Sequence, residues 1–190
     1  IKDDLSRPAL LAALNDFSDQ AANADWAVIY FSGHGLEVDG ANYIVPVDAK
    51  LLADRDVADE AVSLDRLLKA TLGARKLHLV ILDACRDDPF VSNMKRTVAS
   101  RSIGRGLARV EPEGGTLVVY AAKDGQIAYD GDGQNSPFVT ALTKRIAEPN
   151  VEINMLFRQV RDDVLAATGR KQEPYVYGSL PGENFYFVQR

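Results

Sequence analysis

Two residues carry the chemistry this chain could perform. His34 lies in "YFSGHG" (30–35), and Cys85 closes "LVILDAC" (79–85). An imidazole moves protons near neutral pH, and a thiol becomes a strong nucleophile once a neighbouring base takes its proton. The chain holds one cysteine and two histidines. The second histidine, His78, sits inside "LHLVIL" and reads as a packed core residue. A lone cysteine is usually a small buried hydrophobe, so neither residue argues for catalysis by itself. Together they do: each closes an apolar run, and Gly33 and Gly35 leave the backbone around His34 open to a ligand.

Such a pair needs a scaffold that brings two distant stretches together. "WAVIYF" (26–31), "LHLVILDA" (77–84) and "TLVVYAA" (116–122) are short continuous apolar runs, as expected of strands covered on both faces. "NYIVPVD" (42–48) predicts a short peripheral strand, since Pro46 would interrupt a central ladder, and "NFYFV" (184–188) predicts a last strand. Between them lie helical patterns. One starts at Ser6-Arg7-Pro8 and carries Leu10, Leu11, Leu14, Phe17 and Ala21; a second is capped by Ser63 and carries Leu64, Leu67, Leu68 and Leu72. A third opens at Ser136-Pro137. A longer fourth runs from Ile153 to Leu165 and stops at Gly169. Buried strands alternating with amphipathic helices predict an α/β fold, a three-layer α-β-α sandwich with a mainly parallel central sheet. In such a sheet functional groups gather at the carboxyl ends of the strands. If the first two buried strands are parallel neighbours, His34 and Cys85 emerge at one edge, with Asp83 two residues before the cysteine.

Composition narrows the alternatives. The chain has 190 residues, 46% of them hydrophobic and 26% charged, with a net charge of -5. That is ordinary for one globular domain. An acidic balance argues against a general nucleic-acid binder, and no apolar run is long enough to span a bilayer. A single cysteine excludes an intrachain disulfide framework and a multi-thiolate metal site. There is no G-x-x-x-x-G-K-[ST] for nucleotides and no G-x-S-x-G for a serine hydrolase.

"YFSGHG" followed 51 residues later by the cysteine of "LVILDAC" resembles the caspase-like cysteine peptidases, on the bacterial and metacaspase side of that clan. In caspases the histidine lies about 50 residues upstream of the cysteine. "NYIVPVDA", "ACRDDPF", "GRGLARV", "NSPFVTAL" and the closing "NFYFV" extend the likeness from about residue 5 to the end. The resemblance implies one domain over 1–190. Its large-subunit part would be 1–90, its basic intersubunit loop 91–114 and its small-subunit part 115–190. It also implies a mechanism. Cys85 attacks the scissile carbonyl, and His34 protonates the leaving amine and then activates water. The N–H groups of Gly35 and Cys85 form the oxyanion hole. Asp83 and Ser32 match the acidic pocket of metacaspases, which favours Arg or Lys at P1, the substrate residue before the scissile bond. Bringing like charges together without water penalises Asp there.

Between the second and third buried strands lies a long stretch of weak periodicity, of a length that is usually functional or disordered. Over 91–110 it holds Lys95, Arg96, Arg101, Arg105 and Arg109 and no acid. A peptidase cutting after basic residues could process itself there, at Lys95, Arg96, Arg101 or Arg105. No cofactor is expected. Calcium has one candidate site, because Asp48 and Asp65 match two ligand positions of several metacaspases, whereas Arg66 and Ser92 stand where further acids would be. Calcium takes six to eight oxygen ligands. "YDGDGQNS" (129–136) reads as an ordinary turn.

Family members carry a first strand, a helix and a second strand upstream, whereas 33 residues precede His34 here. The fold is therefore expected N-terminally truncated, with an exposed sheet edge beside the histidine strand that offers a route to a homo-oligomer. Two functions compete. One is a cysteine endopeptidase acting on peptides or proteins with basic P1; the other is a catalytically inactive caspase-fold regulatory or interaction module.

Overall fold

The structure is a computed structural model. It describes residues 1–85, 90, 93–97, 102–105, 107–110, 112, 114–123, 128–131, 133 and 135–190, and the side chains of Cys85 and Arg105 lie outside that description. Helix α1 (Arg7–Ala21) leads into β1 (Trp26–Val38) and β2 (Ala41–Ile44). A short helix α2 (Val57–Glu60), β3 (Val62–Ser63) and α3 (Leu64–Thr71) follow, then β4 (Leu77–Cys85). β5 (Ile103–Arg105), β6 (Thr116–Tyr120), α4 (Pro137–Ile146), α5 (Ile153–Ala167) and β7 (Tyr175–Gly178) complete the chain.

The strands form one sheet in the order β3-β2-β1-β4-β6-β7, with β5 also on β1. It is a mixed sheet. The apolar runs of β1, β4 and β6 make a parallel centre, and every outer pairing is antiparallel. Central strands buried on both faces need continuous apolar sequence, which is why these three were legible. Leu77, Leu79 and Ile81 of β4 pack with Leu117 and Val119 against Phe138, Leu142, Leu156 and Val160 of α4 and α5. The alternate residues Val80, Leu82, Val118 and Tyr120 face Leu14, Leu64 and Leu67 of α1 and α3. The period of two along each strand thus supplies both faces of a three-layer domain.

Three sequence expectations change. "NFYFV" is not a strand: Tyr186 makes a single bridge to Glu152, while Phe185 and Phe187 set their rings edge-on to Trp26 at 5.7 and 6.0 Å. The sheet closes instead with "YVYG", which alternates β-formers against β6. Ser63 stands at the N-cap of α3 but makes no side-chain cap bond. Ser136 does cap, accepting from Val139 N–H at 3.0 Å at the start of α4. His78 is half-buried and hydrogen-bonded rather than simply packed, with Nε2 2.9 Å from Ala74 O and Nδ1 3.2 Å from Thr116 Oγ1.

Candidate active site

β1 does not stop at the glycines. It runs through "SGHG" to Val38 and changes partners there. Trp26–His34 pair in parallel with Leu77–Cys85 of β4, whereas Gly35–Val38 pair with β2. β5 takes the lane that β4 vacates, opposite Leu36–Val38. His34 and Cys85 are partners on the last rung of the β1/β4 ladder, and Ser32 and Asp83 are partners two rungs earlier. The carboxyl end of β4 therefore falls in a break in the sheet, where main-chain pairing is handed over.

His34 is exposed, and its ring stands edge-on to Phe90 at 6.1 Å. Its carbonyl accepts from Val45 N–H at 3.0 Å. The next residue in that lane is Pro46, which has no N–H to continue the ladder. Among the described residues β1 has no strand partner on this edge over 26–33. A groove of about 860 Å³ runs along it, lined by residues that include Tyr30, Ser32, His34, Pro46 and Phe90. Gly35 has a packing reason to be glycine. A Cβ there would meet Leu107 Cδ2 at 3.0 Å and Ala84 Cβ at 3.2 Å.

Asp83 is only 5% exposed. Its Oδ2 accepts from the Ser136 hydroxyl at 2.7 Å and from the Tyr30 hydroxyl at 3.4 Å. Burial pushes its carboxyl above the ordinary range; the hydrogen bonds of Ser136 and Tyr30 oppose this, and the charge of Asp130 adds to it. Tyr30, Phe90, Asp130 and Ser136 are the neighbours that sequence reasoning missed. "NSPF" carried one signal, since a serine before a helical proline is a cap, but the cap's second partner is set by tertiary structure alone.

The basic stretch is tied down at two places. Lys95 N–H donates to Leu52 O at 2.8 Å and Lys95 O accepts from Asp54 N–H at 3.1 Å. Asp54, 1% exposed, accepts from Thr97 through both the backbone N–H and the hydroxyl. Further on, Arg105 lies in β5 opposite Leu36, while Ser102 O accepts from Asp39 N–H and Ser102 N–H donates to the Asp39 carboxylate, each at 2.9 Å. Arg96 is exposed, and Arg101 lies outside the described residues. The two calcium candidates are engaged separately: Asp48 accepts from Arg7 N–H at 2.8 Å, and Asp65 pairs with Lys69 at 2.8 Å. Ser92 lies outside the described residues. Among the described residues no group of three or more His, Cys, Asp and Glu is arranged to hold a metal, and no helix is long and apolar enough to cross a membrane.

An α/β sandwich with a histidine and a cysteine sharing the last rung of adjacent parallel strands defines a candidate cysteine-peptidase site. The family model of the caspase domain matches residues 1–186, and the chain belongs to that family of cysteine peptidases, whose substrates are proteins or peptides. A comparison with curated proteins gives no match.

Proposed function

We propose that this chain is a cysteine endopeptidase that cleaves after Arg or Lys, with Cys85 as nucleophile and His34 as general acid and base. The observation that carries this reading is the shared rung of His34 and Cys85 at the end of β4. The Cys85 sulfur attacks the scissile carbonyl carbon, and the carbonyl oxygen takes the negative charge, stabilised by the N–H groups of Gly35 and Cys85. Donors of this kind contribute about 3–4 kcal/mol when aimed at the developing oxyanion. His34 gives its proton to the leaving amine, then accepts one from the water that releases the acyl group. The buried carboxylate of Asp83, with Ser32 on the same rung, supports a cationic P1 residue.

Self-processing in the basic stretch belongs to the same reading. Lys95 and Arg105 are held in backbone pairings, so these bonds have to leave their lanes before they can extend across the dyad. Among the described residues the edge of β1 over 26–33 has no strand partner, which supports association of two copies through the sheet, readable by sedimentation.

A peptidyl chloromethylketone with Arg at P1, followed by mass spectrometry of the labelled peptide, tests the assignment. Modification of Cys85 that is lost in His34→Ala is expected. An unlabelled chain with intact fold would favour the inactive interaction module instead.

A further inference from the structure

Asn42 is a buried amide on β2, opposite Glu37 of β1, and the mechanism leaves it unused. Its Nδ2 donates to Ala108 O at 2.7 Å, and its Oδ1 accepts from Ala108 N–H at 2.5 Å. One side chain thus satisfies both main-chain polar groups of one residue, much as a strand partner would. Releasing either bond would leave a buried polar group unsatisfied. Ala108 O takes a second donor, the Tyr120 hydroxyl of β6, at 3.3 Å. β2 and β6 are not neighbours, because β1 and β4 lie between them. The segment around Ala108 is therefore a strap, stitched to strands on either side of the pair that carries His34 and Cys85.

The next residue shows where the strap bears. Leu107 is buried and joins the cluster that holds Leu82 and Tyr120. A Cβ at Gly35 would meet Leu107 Cδ2 at 3.0 Å and Ala84 Cβ at 3.2 Å, so Leu107 sits against both strands at once. Gly35 directly follows His34, and Ala84 directly precedes Cys85. On the other side of Ala108, the Arg109 guanidinium lies 5.3 Å from the ring of Tyr177, which is itself edge-on to Tyr120 at 5.6 Å. Close-packed contacts transmit displacement. Slack in the strap therefore becomes slack in the two residues beside the dyad.

We propose that Asn42 and Tyr120 are positioning residues for the reaction: through Ala108 they hold Leu107 against Gly35 and Ala84, and so fix the main-chain donors that receive the oxyanion. The proposal rests on the peptidase reading, in which those donors are the N–H groups of Gly35 and Cys85, and deepens it. Both residues act through the strap rather than on the substrate. Donors of this kind work by being aimed in advance at charge that develops only in the transition state. A loosened strap therefore lowers kcat. Asp83 and Ser32, which serve the P1 side chain, are left in place, so KM for an Arg peptide changes little.

The test uses the full chain and a fluorogenic peptide with Arg at P1, with kcat and KM measured on folded protein well below its melting range. Asn42→Asp is the informative change. While its new carboxyl is protonated, the O–H donates to Ala108 O and the C=O accepts from Ala108 N–H, so both bonds survive. Once ionised, it keeps only the N–H and turns a charged oxygen towards Ala108 O. Burial raises the pH at which this happens. The kcat of Asn42→Asp relative to the parent should therefore be near one in acid. It should fall roughly ten- to a hundredfold as pH rises, with KM little changed. Tyr120→Phe removes the second donor and should lower kcat several-fold at every pH. A strap that served stability alone would lower Tm in both variants and leave the kcat of the folded protein parental at every pH. That result overturns the proposal and leaves the peptidase reading standing. No turnover by the parent overturns both. Should Asn42→Asp unfold on ionisation, Tyr120→Phe, which keeps the Asn42 bonds, still decides.

Discussion

The Ser136 hydroxyl is bonded on both sides: it accepts from Val139 N–H at 3.0 Å and donates to Asp83 Oδ2 at 2.7 Å. One oxygen thus starts helix α4 and holds the buried acid of the candidate P1 pocket. Ser136→Ala removes both bonds. Loss of the cap costs about 1 kcal/mol, a fall in Tm of about 2–4 °C for a chain of this size. Loss of the donor moves the Asp83 carboxyl still higher. The acid limb of kcat/KM for an Arg substrate should therefore shift to higher pH, read from a pH–rate profile.

Asp83 should trade stability for specificity. Its folded carboxyl is held above the ordinary range, first by burial, so the folded chain keeps this proton to higher pH than the unfolded chain does. Stability then falls as pH rises from the unfolded carboxyl's range through the raised folded one, and the full penalty remains above it. Asp83→Asn has no such proton to lose. It should melt higher than the parent at neutral pH, the difference vanishing in acid, while turnover of Arg substrates collapses. Thermal melts across acidic and neutral buffers check this. A lower Tm for Asp83→Asn at neutral pH would show that the ionised carboxylate supports the fold.

Gly35→Ala should destabilise by about 1–3 kcal/mol, as overpacking does, because the added methyl meets Leu107 and Ala84. Adding Leu107→Ala makes room on one side, so the double variant should lose less stability than the two singles summed. Denaturant melts of the four proteins give the coupling. Additive losses would mean that the glycine is required for something other than this contact.

The Asp54 carboxylate fastens Thr97 beside the paired backbone of Lys95. Asp54→Ala leaves those donors without their acceptor and frees the segment that carries Lys95 and Arg96. Limited trypsin digestion should cut after these residues at least several-fold faster in the variant, with fragments identified by mass spectrometry.

The parallel centre of the fold was legible because strands buried on both faces must be continuously apolar, as "WAVIYF" and "LHLVIL" are. The outer sheet was not. "YVYG" and "NFYFV" are both rich in aromatic and β-branched residues, and only tertiary packing gives one of them β6 as a partner and the other Trp26. At the site, sequence spacing was enough to single out His34, Cys85 and Asp83. It could not show that β1 continues through "SGHG" and exchanges partners at His34, since that depends on where β4 ends. Ser136 and Asp130 escaped for a similar reason: their relation to Asp83 crosses from α4 and its preceding connection to β4.

The central claim is that the rung shared by His34 and Cys85 is a peptidase dyad serving a cationic P1 pocket. The most direct measurement is the release of fluorophore from otherwise identical peptides with Arg, Lys or Asp at P1. The expected result is turnover after Arg and Lys, none after Asp, and loss of all turnover in Cys85→Ala and in His34→Ala, each still folded. Equal or faster cleavage after Asp, or turnover that persists in Cys85→Ala, would contradict it.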